Sequence, residues 1–159
     1  MSGRKAKKVS ESRTEQVQIV MLSHINGAHR LFGGVLVEWI DVLAAVVARR
    51  HANSAVTTLS IDHLTFKKPV YANETVILCG QVTYVGRTSM EVRVDTFVEK
   101  LDGERTLVNR AYLVMVAIDE NGKSVEVPEL IAETEEEKQE QAAGRLRSEQ
   151  RKQNAANNM

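Results

Sequence analysis

The sequence predicts an α+β domain in which one long helix packs against a five-stranded antiparallel sheet. Three observations support this fold class. One strand-like segment comes first, an apolar helical run follows between residues 31 and 51, and four long strand-like segments fill the second half. Asp102-Gly103 is a strong hairpin signal, which indicates that the strands on either side of it pair antiparallel.

The first strand is predicted between residues 13 and 22. Val17, Ile19 and Met21 recur at every second position, so their side chains share one face of an extended segment. The segment SHINGAHR follows and contains an Asn-Gly turn signal. A strand and a short loop therefore lead into the helix.

The long helix is predicted to begin at Gly33-Gly34 and to end at the cations of RRH, which suit the negative end of the helix dipole. Asp41 interrupts its apolar run, and a buried carboxylate is costly unless it is paired, hydrogen-bonded or protonated. Small residues three or four positions away would let another backbone or a narrow ligand approach. A helix with one polar edge explains the same spacing, so the pattern leaves a structural and a functional role open for Asp41.

The remaining strands are rich in β-branched residues. They are AVTTLSIDHLTF, ETVILCGQVTYVGRTS, SMEVRVDTFVEKL and ERTLVNRAYLVMVAI. Val92, Val94 and Val98 alternate with mostly polar neighbours, which indicates one buried face and one partly polar face. Long edge strands need a partner, so we expect at least a dimer.

The two ends differ in composition from the centre, which we expect to be one domain over residues 13–131. Residues 1–12 are polar and basic and are predicted to be flexible. Residues 132–159 form a tail that is first acidic, then basic, then amide-rich. Because this tail has no apolar stripe, we expect it to be frayed or disordered.

Composition excludes several classes of protein. Lys plus Arg equals Asp plus Glu at 21 each, so no overall field attracts nucleic acid or an anionic membrane, and neither partner is expected. Charges interrupt every run that could span a bilayer, and no apolar stretch of signal-peptide type follows the basic first residues. The single Cys79 suits a reducing compartment, and the four histidines lack zinc spacing. A cytoplasmic protein without a metal site is expected.

Five motifs occur in a specific order: NGAHRLFGGVLVEWID, RRH, VTTLSIDHLTFKKPV, VGRTSMEV and VAIDENGK. Together they cover about residues 10–130, and this set resembles the hotdog-fold acyl-CoA thioesterases (acyl-CoA hydrolases). The resemblance implies a central helix wrapped by five antiparallel strands, pairing of two such units, and often three dimers in a hexamer. It also implies hydrolysis of acyl-CoA to a fatty acid and coenzyme A, with no cofactor besides the CoA of the substrate.

The resemblance assigns roles to residues around the helix. In that family the aspartate at the position of Asp41 is catalytic, the asparagine matching Asn26 is a second active-site residue, and sites form at subunit interfaces. A carboxylate can activate water or attack the thioester carbonyl, and both roles stay open for Asp41. Gly34, with Gly33, is the candidate backbone donor, because a helix start presents free N–H groups. We expect water or Asn26, rather than a salt bridge, to satisfy Asp41.

Coenzyme A needs cations for its phosphates. The resemblance places CoA contacts at the turn VGRTS, which offers Arg87, Thr88 and Ser89, although an ordinary polar hairpin would look the same. Lys67 is a further candidate for CoA binding at the end of a strand. His63 falls where related enzymes often carry a small polar residue, so no role is assigned to it.

Two alternative functions remain at this point. A hotdog dehydratase or hydratase would use a histidine as base; His29 lies in the right loop, but the proline-containing motif of those enzymes is absent. A non-catalytic acyl-CoA sensor would need a DNA-binding module, and neither end of the chain resembles a helix-turn-helix. Release of a thiol from acyl-CoA distinguishes an active thioesterase from both.

Overall fold

The computed structural model describes residues 3–62 and 64–158. In chain order the elements are β1 (Ala6–Lys8), α1 (Val9–Ser12), β2 (Thr14–Ile19), a 3-10 turn (Leu22–His24), α2 (Gly33–Ala52), β3 (Ala55–Asp62), β4 (Thr75–Val85), β5 (Ser89–Glu99), β6 (Arg105–Ile118), β7 (Glu129–Ile131) and α3 (Glu135–Asn157).

Five strands form one antiparallel sheet in the order β2-β4-β5-β6-β3, and α2 crosses its inner face. The helix can approach closely at Gly80, where a Cβ atom would lie only 3.0 Å from Val47. It ends at Asn53, whose left-handed backbone (φ 56°) is a common way to terminate a helix. The predicted fold class, one long helix against a five-stranded antiparallel sheet, is confirmed.

The buried core lies between α2 and the inner face of the sheet. Its helix side chains are Leu36, Ile40, Leu43 and Val47, and its sheet side chains include Val76, Leu78, Val92, Val94, Leu113 and Met115. The alternation that predicted a buried face on β5 is therefore correct.

The first strand is shorter than predicted, and its apolar face points away from the core. Val17 and Ile19 do share one face, but they are 58% and 47% exposed. Val20 is buried, and the extended Met21 after it is exposed like Val17 and Ile19. Because β2 is an edge strand, this leaves an apolar ridge on the surface of a single subunit.

The prediction of a flexible N-terminal segment is wrong for residues 6–12. β1 pairs in parallel with β7, and α1 packs against α2 with Val9 fully buried. Burial of Val9 and pairing with β7, a strand far along the chain, fix this segment. Neither is visible in its polar, basic composition.

The prediction of a frayed C-terminal tail is also wrong, because α3 is an ordered helix docked on the outer face of the sheet. Its first turn has a capping box in which the Glu137 N–H donates to the Thr134 hydroxyl at 3.1 Å. The docking face is polar rather than apolar, so a search for an apolar stripe misses it. The packed region therefore extends beyond residues 13–131.

Charged groups hold α3 to the sheet. The side chain of Glu91 on β5 is 1% exposed and accepts hydrogen bonds from Arg147 at 2.8 and 3.0 Å and from Arg151 at 2.7 Å. The guanidinium of Arg147 also lies 3.9 Å from the centre of the Tyr112 ring. Of the helices in the described part of the chain, none is long and apolar enough to cross a membrane.

Candidate active site

Asp41 lies halfway along α2, at the edge of the helix that faces strand β3. Its Oδ1 accepts a hydrogen bond of 2.6 Å from the Thr58 hydroxyl. No ion pair of Asp41 occurs in the described part of the chain. Water or Asn26 was expected to satisfy this carboxylate; within one subunit the side chain that donates to it is Thr58, not Asn26.

Thr58 is held in place by an irregularity in β3. The pairing of β3 with β6 shifts between Thr58 and Ser60, which leaves Leu59 as an extra, bulged residue. Bulges re-aim side chains near functional sites. The Thr58 hydroxyl also lies 3.4 Å from the sulfur of Met115, its partner on β6.

The N–H groups of Gly33 and Gly34 at the start of α2 have no hydrogen-bond acceptor among the described residues. The first intrahelical hydrogen bonds are made by the N–H groups of Val35 and Leu36 to the Phe32 carbonyl, so those of Gly33 and Gly34 precede them. A Cβ atom on Gly34 would lie 2.7 Å from the Phe32 ring. The glycine therefore lets an aromatic ring cover the helix start.

A cavity of about 400 Å³ opens beside this helix start. Its polar lining comprises Asn26, Arg30, Lys67 and Lys68, and its apolar lining includes Leu36, Phe66, Val70 and Val108. Cations beside an apolar wall suit a ligand that combines an anionic group with a hydrocarbon chain.

Asn26 is both part of the loop structure and free to donate. Its Oδ1 accepts hydrogen bonds from the backbone N–H groups of Ala28 at 2.9 Å and Arg30 at 3.2 Å. Its Nδ2 has no acceptor among the described residues. The local fold thus uses the amide oxygen and leaves two N–H groups for a ligand.

The turn between β4 and β5 carries Arg87, Thr88 and Ser89, three of the five residues predicted to bind CoA; the other two are Gly33 and Lys67. Arg87 is 84% exposed and lies 3.6 Å from Glu126, while the backbone of Gly86 and Ser89 closes the turn. Ser89 pairs with Val116, which in turn pairs with Thr57. The turn is thus at the same end of the sheet as Thr58.

One subunit does not bring all the predicted site residues together. Asn26, Gly33 and Lys67 line one cavity, whereas Asp41 lies about 12 Å further along the helix axis from Gly33. Arg87, Thr88 and Ser89 form a third place at the end of the sheet. His63 lies outside the described residues.

The described residues offer neither a metal site nor an activated thiol. No group of three or more His, Cys, Asp or Glu side chains is placed there to hold a metal ion. Burial and the nearby Glu15 raise the pKa of the Cys79 thiol, which disfavours the nucleophilic thiolate.

Sequence comparison identifies the family. Residues 28–103 match the model of the thioesterase superfamily. A Bacillus subtilis protein named uncharacterized acyl-CoA thioester hydrolase YkhA is 41% identical over 128 residues, which are 80% of this chain and 74% of that protein. The chain belongs to the thioesterase superfamily.

Solved structures of superfamily members agree with this fold. A hexameric acyl-CoA thioesterase in its apo form is 43% identical, with a TM-score of 0.91 over 96% of this chain and 98% of that one. The acyl-CoA hydrolase of Staphylococcus aureus, solved with butyryl coenzyme A and coenzyme A, is 32% identical, with a TM-score of 0.91 over 96% and 94%. The resemblance inferred from the sequence motifs is confirmed.

The Staphylococcus aureus enzyme has also been solved as three alanine variants, at an asparagine, an aspartate and a threonine. The aspartate follows the asparagine by fifteen positions, and the threonine follows the aspartate by seventeen. Asn26, Asp41 and Thr58 have the same spacing here. Sequence reasoning missed Thr58, because nothing in VTTLS distinguishes it from Thr57.

Proposed function

We propose that this protein hydrolyses acyl-CoA thioesters to a free carboxylic acid and coenzyme A, with Asp41 as the essential carboxylate. The observation that carries the proposal is the 2.6 Å hydrogen bond from Thr58 to Asp41. It joins two residues whose types and spacing match two of the three positions changed in the Staphylococcus aureus acyl-CoA hydrolase. The assignment of an acyl-CoA substrate rests on the family and on these two residues together.

Thr58 fixes the carboxylate for reaction. Its hydroxyl donates to Oδ1, so Oδ2 faces the thioester as a base or as a nucleophile. If Asp41 acts as a base, the oxygen of an activated water molecule adds to the carbonyl carbon. If Asp41 acts as a nucleophile, its own oxygen adds first, and water later hydrolyses the resulting anhydride. In both cases the carbon–sulfur bond breaks after the first addition, and CoA leaves as a thiolate that takes up a proton. Both routes give the same products.

The negative charge that develops on the carbonyl oxygen needs donors. The Asn26 amide and the N–H groups of Gly33 and Gly34 lie at one cavity, and preorganised donors of this kind stabilise an oxyanion. Because this cavity is about two helical turns from Asp41 of the same chain, each site combines the Asp41–Thr58 pair of one copy with the Asn26 cavity of another.

The surface around Asp41 supports such pairing. Val42 on α2 and Leu59 on β3 flank the Asp41–Thr58 pair and are 52% and 69% exposed, so this face offers apolar area for a contact to bury. A two-fold contact through this face would bury both residues and complete two sites at once.

A hexamer needs a second contact surface. The ridge formed by Val17, Ile19 and Met21, with the exposed Leu22 after it, is a second group of neighbouring exposed apolar residues. We assign it to the contact that joins three dimers, in keeping with the hexameric relatives.

Coenzyme A binding uses the remaining cations. Lys67 stands at the cavity, and Arg87 with the hydroxyls of Thr88 and Ser89 offers a phosphate contact at the β4–β5 turn. No cofactor is needed beyond the CoA of the substrate. A cytoplasmic location remains part of this proposal.

A thiol-release assay across acyl-CoAs of increasing chain length tests the function. Turnover that falls by about 10²-fold or more in Asp41→Asn, with the fold unchanged, supports the proposal. Glu38→Gln, one turn earlier on α2, is the control and should retain activity. Binding of acyl-CoA without thiol release would favour a sensor, and hydration of an enoyl-CoA would favour the hydratase.

A further inference from the structure

Strand β6 carries a bulge directly beneath the cavity. Thr96 of β5 pairs with Asn109, but the next residue, Phe97, pairs with Leu107, so Val108 is an extra residue without a partner. The adjacent Val108 and Asn109 are both buried, at 3% and 0% exposure. Val108 lines the cavity.

The bulge holds one wall of the cavity through two hydrogen bonds. The Asn109 side-chain Nδ2 donates to the Thr65 carbonyl at 2.5 Å, and the Lys67 N–H donates to the Val108 carbonyl at 3.1 Å. Phe66 lies between these two anchor points and contacts the helix start, 3.4 Å from where a Cβ atom on Gly33 would be. Residues 64–67 have no regular secondary structure, so the bulge sets their position.

Asn109 lowers the stability of the fold at this buried position. Its Oδ1 is buried without a hydrogen-bond partner in the described chain, and so is the hydroxyl of Thr96, its neighbour across the strands. A buried polar atom without a partner destabilises a protein, and an apolar side chain of similar size would avoid that cost. The one side-chain hydrogen bond that Asn109 makes in the described chain is the bond to the Thr65 carbonyl.

We propose that Asn109 is a positioning residue for the substrate site: it fixes Phe66 and Lys67 as the wall against which acyl-CoA binds. This inference rests on the proposed thioesterase function of the same cavity. Asn109 does not touch the reacting atoms, so it acts on binding and on the fit of the acyl chain rather than on the chemical step.

Hydrogen exchange of the protein without substrate tests the structural half of the proposal. Asn109→Leu keeps the branched shape of the side chain but removes the donor, and it should speed amide exchange in the segment 64–68 while leaving α2 protected. If Asn109→Leu does not fold, Asn109→Ala removes the same donor without the larger side chain. Unchanged exchange in that segment overturns the inference whether or not the protein is an active thioesterase.

Kinetics test the functional half. Asn109→Leu should raise KM for acyl-CoA by about three- to tenfold, as expected for the loss of one hydrogen bond, with kcat within about twofold of the parent. Thr96→Val is the matched control, because it changes an equally buried neighbour whose hydroxyl has no hydrogen-bond partner among the described residues. An equal KM effect in the control, or a loss confined to kcat, contradicts a positioning role. Absence of turnover in the parent protein would instead refute the thioesterase proposal. The hydrogen-exchange result would then decide by itself whether Asn109 positions the segment 64–68.

Discussion

The Thr58 hydroxyl donates a 2.6 Å hydrogen bond to Asp41 and thereby ties the middle of α2 to the edge strand β3. Replacing Thr58 by valine keeps the shape of the side chain and removes the donor. We expect kcat to fall by about tenfold or more, because the carboxylate is no longer held in one orientation. Thiol release measures the change, and Thr57→Val is the control. Full activity in Thr58→Val would show that the hydrogen bond is only structural.

The separation of Asn26 from Asp41 within a subunit predicts complementation between variants. Asp41→Asn and Asn26→Ala should each be nearly inactive alone. Mixed oligomers made by co-expression should recover about a quarter of the parent activity, because a dimer of the two variants keeps one intact site and half of the dimers are mixed. If both residues serve the same subunit's site, mixing restores nothing. Mixing either variant with itself is the control.

The exposed position of Arg87 predicts an effect on binding that depends on salt. Arg87→Ala should raise KM for acyl-CoA by about fivefold at low ionic strength and by less as salt screens the phosphate contact. Lys123→Ala, at the surface turn after β6, should leave KM unchanged. An unchanged KM for Arg87→Ala at low salt means that the CoA phosphates bind elsewhere.

The apolar ridge on β2 predicts a defined loss of assembly. Val17→Asp places a charge on this surface and should convert a hexamer into dimers that keep their active sites. Sedimentation velocity measures the size, and Leu101→Asp, which changes an exposed apolar residue on the β5–β6 turn, should not alter it. A hexamer that survives Val17→Asp would place the contact between dimers on another face.

The buried ion pairs of Glu91 should make the free energy of unfolding depend on pH. Burial raises the pKa of Glu91, but hydrogen bonds from Arg147, Thr83 and Arg151 outweigh burial and hold the pKa below its ordinary value of 4.5. The unfolded chain then binds the proton first as pH falls. The stability that Glu91 provides is therefore complete above about pH 4.5 and is lost as pH falls through the lower folded-state pKa.

Urea unfolding of Glu91→Gln measures this contribution. At pH 7 the free energy of unfolding should drop by about 3 kcal/mol, as is typical when one partner of a buried ion pair is removed. The variant should also lose part of the acid dependence of stability. Glu149→Gln, an exposed change on α3, is the control. Equal acid dependence in Glu91→Gln and the parent would show that other carboxylates cause it.

The fold class could be predicted because the sequence patterns that indicate a helix or a strand depend on residues close together in the chain. The apolar run of α2 and the alternation on β5 depend only on the spacing of residues along the chain. The contact of Asp41 with Thr58 depends instead on how α2 lies against β3, and no spacing rule contains that geometry. The sequence therefore singled out Asp41 as a candidate but did not indicate its partner Thr58.

The errors at the two ends have a common physical cause. From the sequence, Arg147 and Arg151 are predicted to be solvent-exposed, because a helix that docks on a sheet is expected to do so with an apolar face. Their partner Glu91 lies on a distant strand and is itself a charge that such rules place in water. The outward face of Val17 and Ile19 is the converse case, because its apolar alternation marks a surface ridge of the subunit.

The distance along the chain between Glu91 and its partners also determines when the domain can finish folding during synthesis. Arg147 is made 56 residues after Glu91, and Arg151 is made 60 residues after it. The five-stranded sheet exists only after β6 ends at Ile118, so at about 5–20 residues per second it displays a carboxylate without a counter-charge for about 1–6 seconds. A chain released before these arginines are added keeps that defect, which leaves its sheet open to capture by chaperones or proteases.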